Sequence, residues 1–202
     1  MPKNNLVKFL GVLSLMGLLA TPSFAKTKYK WDWYWGIGAG ASNVDPEGEA
    51  RGWSTDDSSD FGYKLMIGAD ISDKWGMDIA YHDLGSAGLG NKDPEIDRLY
   101  PNAGIDYRVF STVFNYAPWF EEGDDYHFYG KIGVSSIKNK ESEVIRDPSD
   151  MASPPFDEET SVQIVFGAGF NWTVSDNMFI RTEFEHFDRD AYFFSVQFGS
   201  YF

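Results

Sequence analysis

The chain contains no cysteine, so no disulfide framework holds it together. It has only 17 Lys and Arg against 31 Asp and Glu, a formal charge of −14. That balance excludes nucleic acid as a partner and disfavours adsorption to anionic lipid, both of which require a basic surface. Three histidines, His82, His127 and His186, leave little material for a metal centre or a general base. After Ala25 no apolar run is long enough for a helical membrane span, which needs about 20 residues.

The first 25 residues differ from the rest. Lys3 and Lys8 precede an apolar run from Phe9 to Ala20 and a small-residue exit at Ser23-Phe24-Ala25, the pattern of a secretory signal peptide cleaved before Lys26. Residues 26–202 are then expected to form one domain. Aromatic residues make up 17% of the chain, yet mean hydropathy is −0.36. A transmembrane β-barrel reconciles the two, because lipid-facing apolar residues alternate with lumen-facing polar ones while aromatics gather in girdles.

Period-2 alternation recurs in segments of the required length. In 33–43 the outward set is Trp33, Trp35, Ile37, Ala39 and Ala41, with Tyr34, three glycines and Ser42 inward. In 61–71 Phe61, Tyr63, Leu65, Ile67, Ala69 and Ile71 oppose Gly62, Lys64, Met66, Gly68 and Asp70. After a tight turn at 72–74, Trp75, Met77, Ile79 and Tyr81 oppose Gly76, Asp78, Ala80 and His82. A fourth strand at 103–116 suggests Ile105, Tyr107, Val109 and Val113 outward, although Phe110, Phe114 and Tyr116 compete for that face.

The fifth strand, 126–137, turns His127, Tyr129, Lys131 and Ser135 inward, and the sixth, 162–172, turns Gln163, Val165 and Asn171 inward. The seventh, 178–185, places Phe179, Arg181, Glu183 and Glu185 inside, and the eighth, 194–202, Ser195, Gln197 and Tyr201. Long polar connections at 44–60, 84–102 and 138–161 follow the odd strands, and shorter ones the even strands. The expected fold is therefore all-β: an eight-stranded antiparallel up-and-down barrel with both termini periplasmic. Two departures are visible: 118–125 is long for a turn, and 187–191 is short for an outer loop.

With the strands placed, the chain resembles the OmpA-type transmembrane domain. The motifs are Trp33-Tyr34-Trp35-Gly36, Asp78-Ile79-Ala80-Tyr81 with Leu84-Gly85, Tyr129-Gly130-Lys131-Ile132-Gly133, Arg181-Thr182-Glu183-Phe184 and the terminal Phe202. The resemblance implies an outer-membrane location, with outer-membrane lipid, lipopolysaccharide and the barrel assembly machinery as partners and Phe202 as the assembly signal. It does not extend to a peptidoglycan-binding domain. It also implies paired lumenal charges at Asp78, Lys131, Arg181 and Glu183, with Arg181 held between Asp78 and Glu183. Asn171 stands where the family has a further lumenal acid.

Together with Glu185 these charges are expected to make a packed polar core, because an eight-stranded barrel is just wide enough for side chains to fill it and a buried ion needs a partner. The inward aromatics Tyr34, Tyr129, Phe179 and Phe193 favour a plug. The acids Asp56, Asp57 and Asp60, and Asp157, Glu158 and Glu159, are candidates for weak divalent-cation binding on outer loops. Glu121-Glu122 with Asp124-Asp125 is a third acidic cluster. The expected function is a monomeric structural or surface-interaction barrel without cofactor or catalysis. A narrow channel for ions or small solutes is the alternative, and a lipid A-modifying barrel enzyme the third; the latter requires a nucleophile within reach of a histidine and an acid.

Overall fold

In the computed structural model the described residues are 31–45, 52–121, 123–142, 159–188 and 191–202. The expected signal peptide, Glu122, Asp157 and Glu158 lie outside them. The elements are β1 (Asp32–Val44), β2 (Trp53–Asp57), β3 (Ser59–Asp70), β4 (Trp75–Asn91), α1 (Pro94–Leu99), β5 (Gly104–Tyr116), β6 (Tyr126–Ser142), β7 (Glu159–Ser175), β8 (Met178–Asp188) and β9 (Ala191–Tyr201). β3 pairs with β1 and β4, each later strand pairs with the next, and β9 returns to β1. β2 continues the line of β3 beyond Ser58 and pairs with the far end of β4, so the wall is a closed barrel of eight antiparallel strands.

Closure leaves no unpaired edge at membrane depth, as hydrocarbon requires. The outward residues form the expected apolar band. Trp33, Trp75, Tyr116, Tyr126 and Trp172 are exposed near one end, where the turns at 71–74, 117–125 and 176–177 and both ends of the barrel chain lie. We call this the turn end and the other the loop end. Trp75 packs on Tyr116 with ring centroids 4.4 Å apart. The long connection 117–125 is stitched to the neighbouring turns, with Ala117 N–H on the Lys74 carbonyl (2.9 Å) and Thr173 N–H on that of Asp125 (2.7 Å).

Three expectations need correction. β4, β6 and β7 run 17 residues each, where about ten cross a membrane. At roughly 3.3 Å per residue they reach about 55 Å, so even tilted by about 45° they overrun an apolar band about 25 Å tall. Parts of the connections read as loops at 44–60, 84–102 and 138–161 are therefore sheet, and α1 lies in the second of them. The face of β5 is also reversed. Ile105, Tyr107, Val109 and Val113 are buried inward, and Phe110, Phe114 and Tyr116 face out. Finally, Ala69 is buried and Ile71 falls beyond β3; the Ala69 methyl sits between its larger register partners Trp33 and Met77.

The interior is built in two tiers. At the level of the apolar band it is polar and charged. Toward the loop end it is apolar: Val44, Trp53, Leu84, Leu89, Ile105, Tyr107, Val109, Ile137, Phe187 and Phe193 form one buried cluster, with Ile96 of α1 packed against it. The outward face changes in the opposite sense. It passes from Tyr81 to Asp83 on β4, from Phe110 to Arg108 on β5 and from Val134 to Ser136 and Lys138 on β6. Asp83 marks that border, 3.7 Å from Arg108 and accepting from the Tyr63 hydroxyl at 3.2 Å.

A bulge between Asp83 and Ser86 adjusts β4 there. Gly85 has φ +77°, a conformation that side chains with a Cβ rarely adopt. Below it the even positions point inward, and above it Ala87 and Leu89 do. Asp60 fastens the bulge by accepting from Ser86 N–H at 2.7 Å.

Candidate functional site: the charged lumen

Strands β3 to β9 each bury at least one polar or charged side chain in the lumen, and six of these side chains, on four strands, are ionic: Lys64 on β3, Asp78 on β4, Lys131 on β6, and Arg181, Glu183 and Glu185 on β8. Three cations meet three anions. Lys64 Nζ bridges Glu183 and Glu185, the latter at 3.0 Å. Lys131 Nζ reaches Glu183 at 2.9 Å, Glu185 at 2.8 Å and Asp78 at 4.0 Å. Glu183 also accepts from the Tyr129 hydroxyl (2.5 Å) and from Gln197 Nε2.

Arg181 spans the barrel, because β8 and β4 lie on opposite walls. Its Nη1 is 3.4 Å from Asp78 Oδ2 and 4.0 Å from Glu183 Oε1. The rings of Tyr34, Tyr129 and Phe179 surround the guanidinium, with centroids 5.0, 5.2 and 4.9 Å away, within cation–π range. Asp78 is held in turn by the Tyr34 hydroxyl at 2.5 Å and Asn115 Nδ2 at 2.8 Å. Gly169 lets this packing form, since a Cβ there would collide with the Tyr129 ring.

All five lumen residues singled out from sequence are brought together. Lys64 was missed, although its inward register was plain. The available signal was the register itself: Lys64 is the one inward cation of the strand read at 61–71, and an ion buried in a filled lumen needs a partner.

At the boundary between the tiers, His82 Nε2 lies 3.1 Å from Ser111 Oγ and its Nδ1 3.7 Å from Glu185 Oε2. No sequence pattern paired His82 with Ser111; they meet diagonally across the β4–β5 pair, Ser111 lying two residues beyond Val109, the register partner of His82. The set has the residue types of an acyl-transfer triad, but the His–Glu separation exceeds a hydrogen bond. All three side chains are buried, and Phe187 and Phe193 pack edge-on against the imidazole with centroids 4.8 and 6.0 Å away. His186 faces outward between Phe166 and Tyr192, and His127 packs on Phe120.

The acidic candidates do not converge. Asp56 and Asp57 are exposed on β2, Asp60 is committed to the β4 bulge, and Glu159 is exposed at the start of β7. Among the described residues, no three acidic or histidine side chains are grouped as metal ligands. Phe202 is exposed, with its N–H on the Trp33 carbonyl at 3.0 Å.

A closed eight-stranded barrel with an apolar exterior and a charged, filled interior defines a transmembrane β-barrel of the outer-membrane type. A family model, the OmpA-like transmembrane domain, matches residues 28–191, and the chain belongs to that family. Among solved structures it is similar to the outer membrane protein OprG of Pseudomonas aeruginosa (15% identity, TM-score 0.55, covering 84% of this chain and 95% of that one). It is also similar to Neisserial surface protein A (12%, 0.51, 86% and 100%) and to the N-terminal β-barrel domain of OprF from Pseudomonas aeruginosa (13%, 0.51, 84% and 97%). At these identities the likeness is one of fold. No curated protein sequence matches the chain.

Proposed function

We propose that this outer-membrane barrel is a non-conducting, non-enzymatic scaffold that holds its acidic loop end at the cell surface, with both termini in the periplasm. One observation carries the reading: the lumen is filled twice over, by a charge-balanced network at membrane depth and by the apolar cluster above it. A permeating ion would have to displace paired buried charges and then cross an apolar tier, each step costing several kcal/mol.

Catalysis by Ser111, His82 and Glu185 is disfavoured on the same ground, since no substrate reaches a closed serine. The partners of the scaffold are lipid and lipopolysaccharide around the band, and Phe202 serves assembly as the terminal aromatic signal. Planar-bilayer recording of the refolded mature protein tests the reading. It should show no steady unitary openings; reproducible openings by the wild type would favour the narrow channel instead.

A further inference from the structure

The lipid-facing wall has a notch between β6 and β7. Gly130 on β6 and Ala168 on β7 are register partners and both face outward. A Cβ at Gly130 would meet nothing within 4 Å. Phe128 and Ile132 flank Gly130 along β6, and Tyr116 and Phe114 rise beside it on β5. The hollow has a volume of about 750 Å³ and is capped toward the turn end by Trp119, within the range of a ligand site.

We propose that this notch seats an acyl chain of one phospholipid from the leaflet at the turn end; the choice of a glycerophospholipid rests on the orientation proposed above. Hydrocarbon is what surrounds this face at membrane depth, and a recess between aromatic ridges holds a chain by contact on three sides, whereas the flush wall offers one. The rim supplies a headgroup partner. Lys74 is exposed, and its Nζ donates to the Pro118 carbonyl at 3.0 Å beside Trp119, where a phosphate at the polar boundary meets it. The exposed acids Glu121 and Asp124 of the same connection complement the ammonium of an ethanolamine headgroup.

The test is native mass spectrometry of the barrel extracted into detergent from phosphatidylethanolamine nanodiscs, with a parallel arm containing lipid A. Wild type should retain a bound phospholipid. Ala168→Phe and, independently, Gly130→Val fill the hollow on a face that tolerates apolar bulk, and should lose that lipid while circular dichroism still reports a folded barrel. Lys74→Glu should weaken retention. No retained phospholipid in the wild type, equal retention in both filled variants, preferential lipid A capture, or a dimer occupying the face would overturn the proposal. Orientation is read separately: surface labelling of Lys74→Cys on intact cells, in a chain without other cysteines, would overturn the leaflet assignment while leaving retention as measured.

Discussion

The membrane-level barrel and its extension at the loop end are built from the same strands but in opposite senses. In the lower part the outside is apolar and the inside charged; in the upper part Asp83, Arg108 and Lys138 face out and Leu84, Ile105, Tyr107 and Ile137 face in. The solvent explains the inversion. Lipid rewards apolar residues outside, whereas water rewards apolar residues removed from it. The two tiers therefore resist perturbation differently: the lower by pairing charges, the upper by packing.

The sharpest contrast comes from removing a charge from the lower tier. Lys64→Ala leaves Glu183 and Glu185 with Lys131 as their main counter-ion, and a broken buried pair typically costs about 3–5 kcal/mol. A large fall in the urea unfolding midpoint is expected. Arg181→Ala should act in the same direction, with Arg181→Lys intermediate because it keeps the charge and loses the planar fork. If Lys64→Ala unfolds like wild type, the network is not what holds the lower tier.

In the upper tier, Leu84→Ala should cost about 3 kcal/mol as a cavity in a packed cluster. The matched truncation Leu65→Ala, on the lipid face, opens no internal cavity and should cost less. Equal losses for the two would erase the distinction between the tiers. At the hinge between them, Gly85→Ala forces a Cβ into a left-handed conformation at about 1–2 kcal/mol and crowds Asp60. The expected readout is a lower midpoint, with faster amide exchange in residues 86–91. The smallest effect belongs to the border itself. Arg108→Ala removes a pair whose arginine side chain is 56% exposed and should shift stability by no more than about 1 kcal/mol.

The inversion also explains which parts of the fold were legible. On β1, β3, β8 and β9 most of the strand lies at membrane depth, so one parity is predominantly apolar and the face can be read directly. β5 crosses the border. Its inward positions run Ile105, Tyr107, Val109, then Ser111, Val113, Asn115, while its outward positions run Asp106, Arg108, then Phe110, Thr112, Phe114, Tyr116. The geometric parity never changes, but the chemistry swaps sides near Arg108. Reading Ile105, Tyr107, Val109 and Val113 as one lipid-facing row assumes a single solvent along the strand. The strand lengths were misjudged for a related reason, because Gly85 and the polar outward residues above it look like loop.

The sequence by itself determined the closed barrel, its strand order and the inward register of all six lumen ions, because alternation at period 2 is written into each strand and closure follows from the need to pair every backbone group in lipid. Alternation does not say which ions meet: the family resemblance implied Arg181 between Asp78 and Glu183, and the tertiary structure alone added Lys64 to Glu183 and Glu185. Asp78 and Arg181 are 103 positions apart, and their contact depends on how far each strand is staggered around the barrel. The pairing of Lys64 with β8, the meeting of His82 with Ser111 and the apolar tier that closes the loop end share that origin. Each arises from stagger and from where along a strand lipid gives way to water, and neither quantity is carried by any one segment.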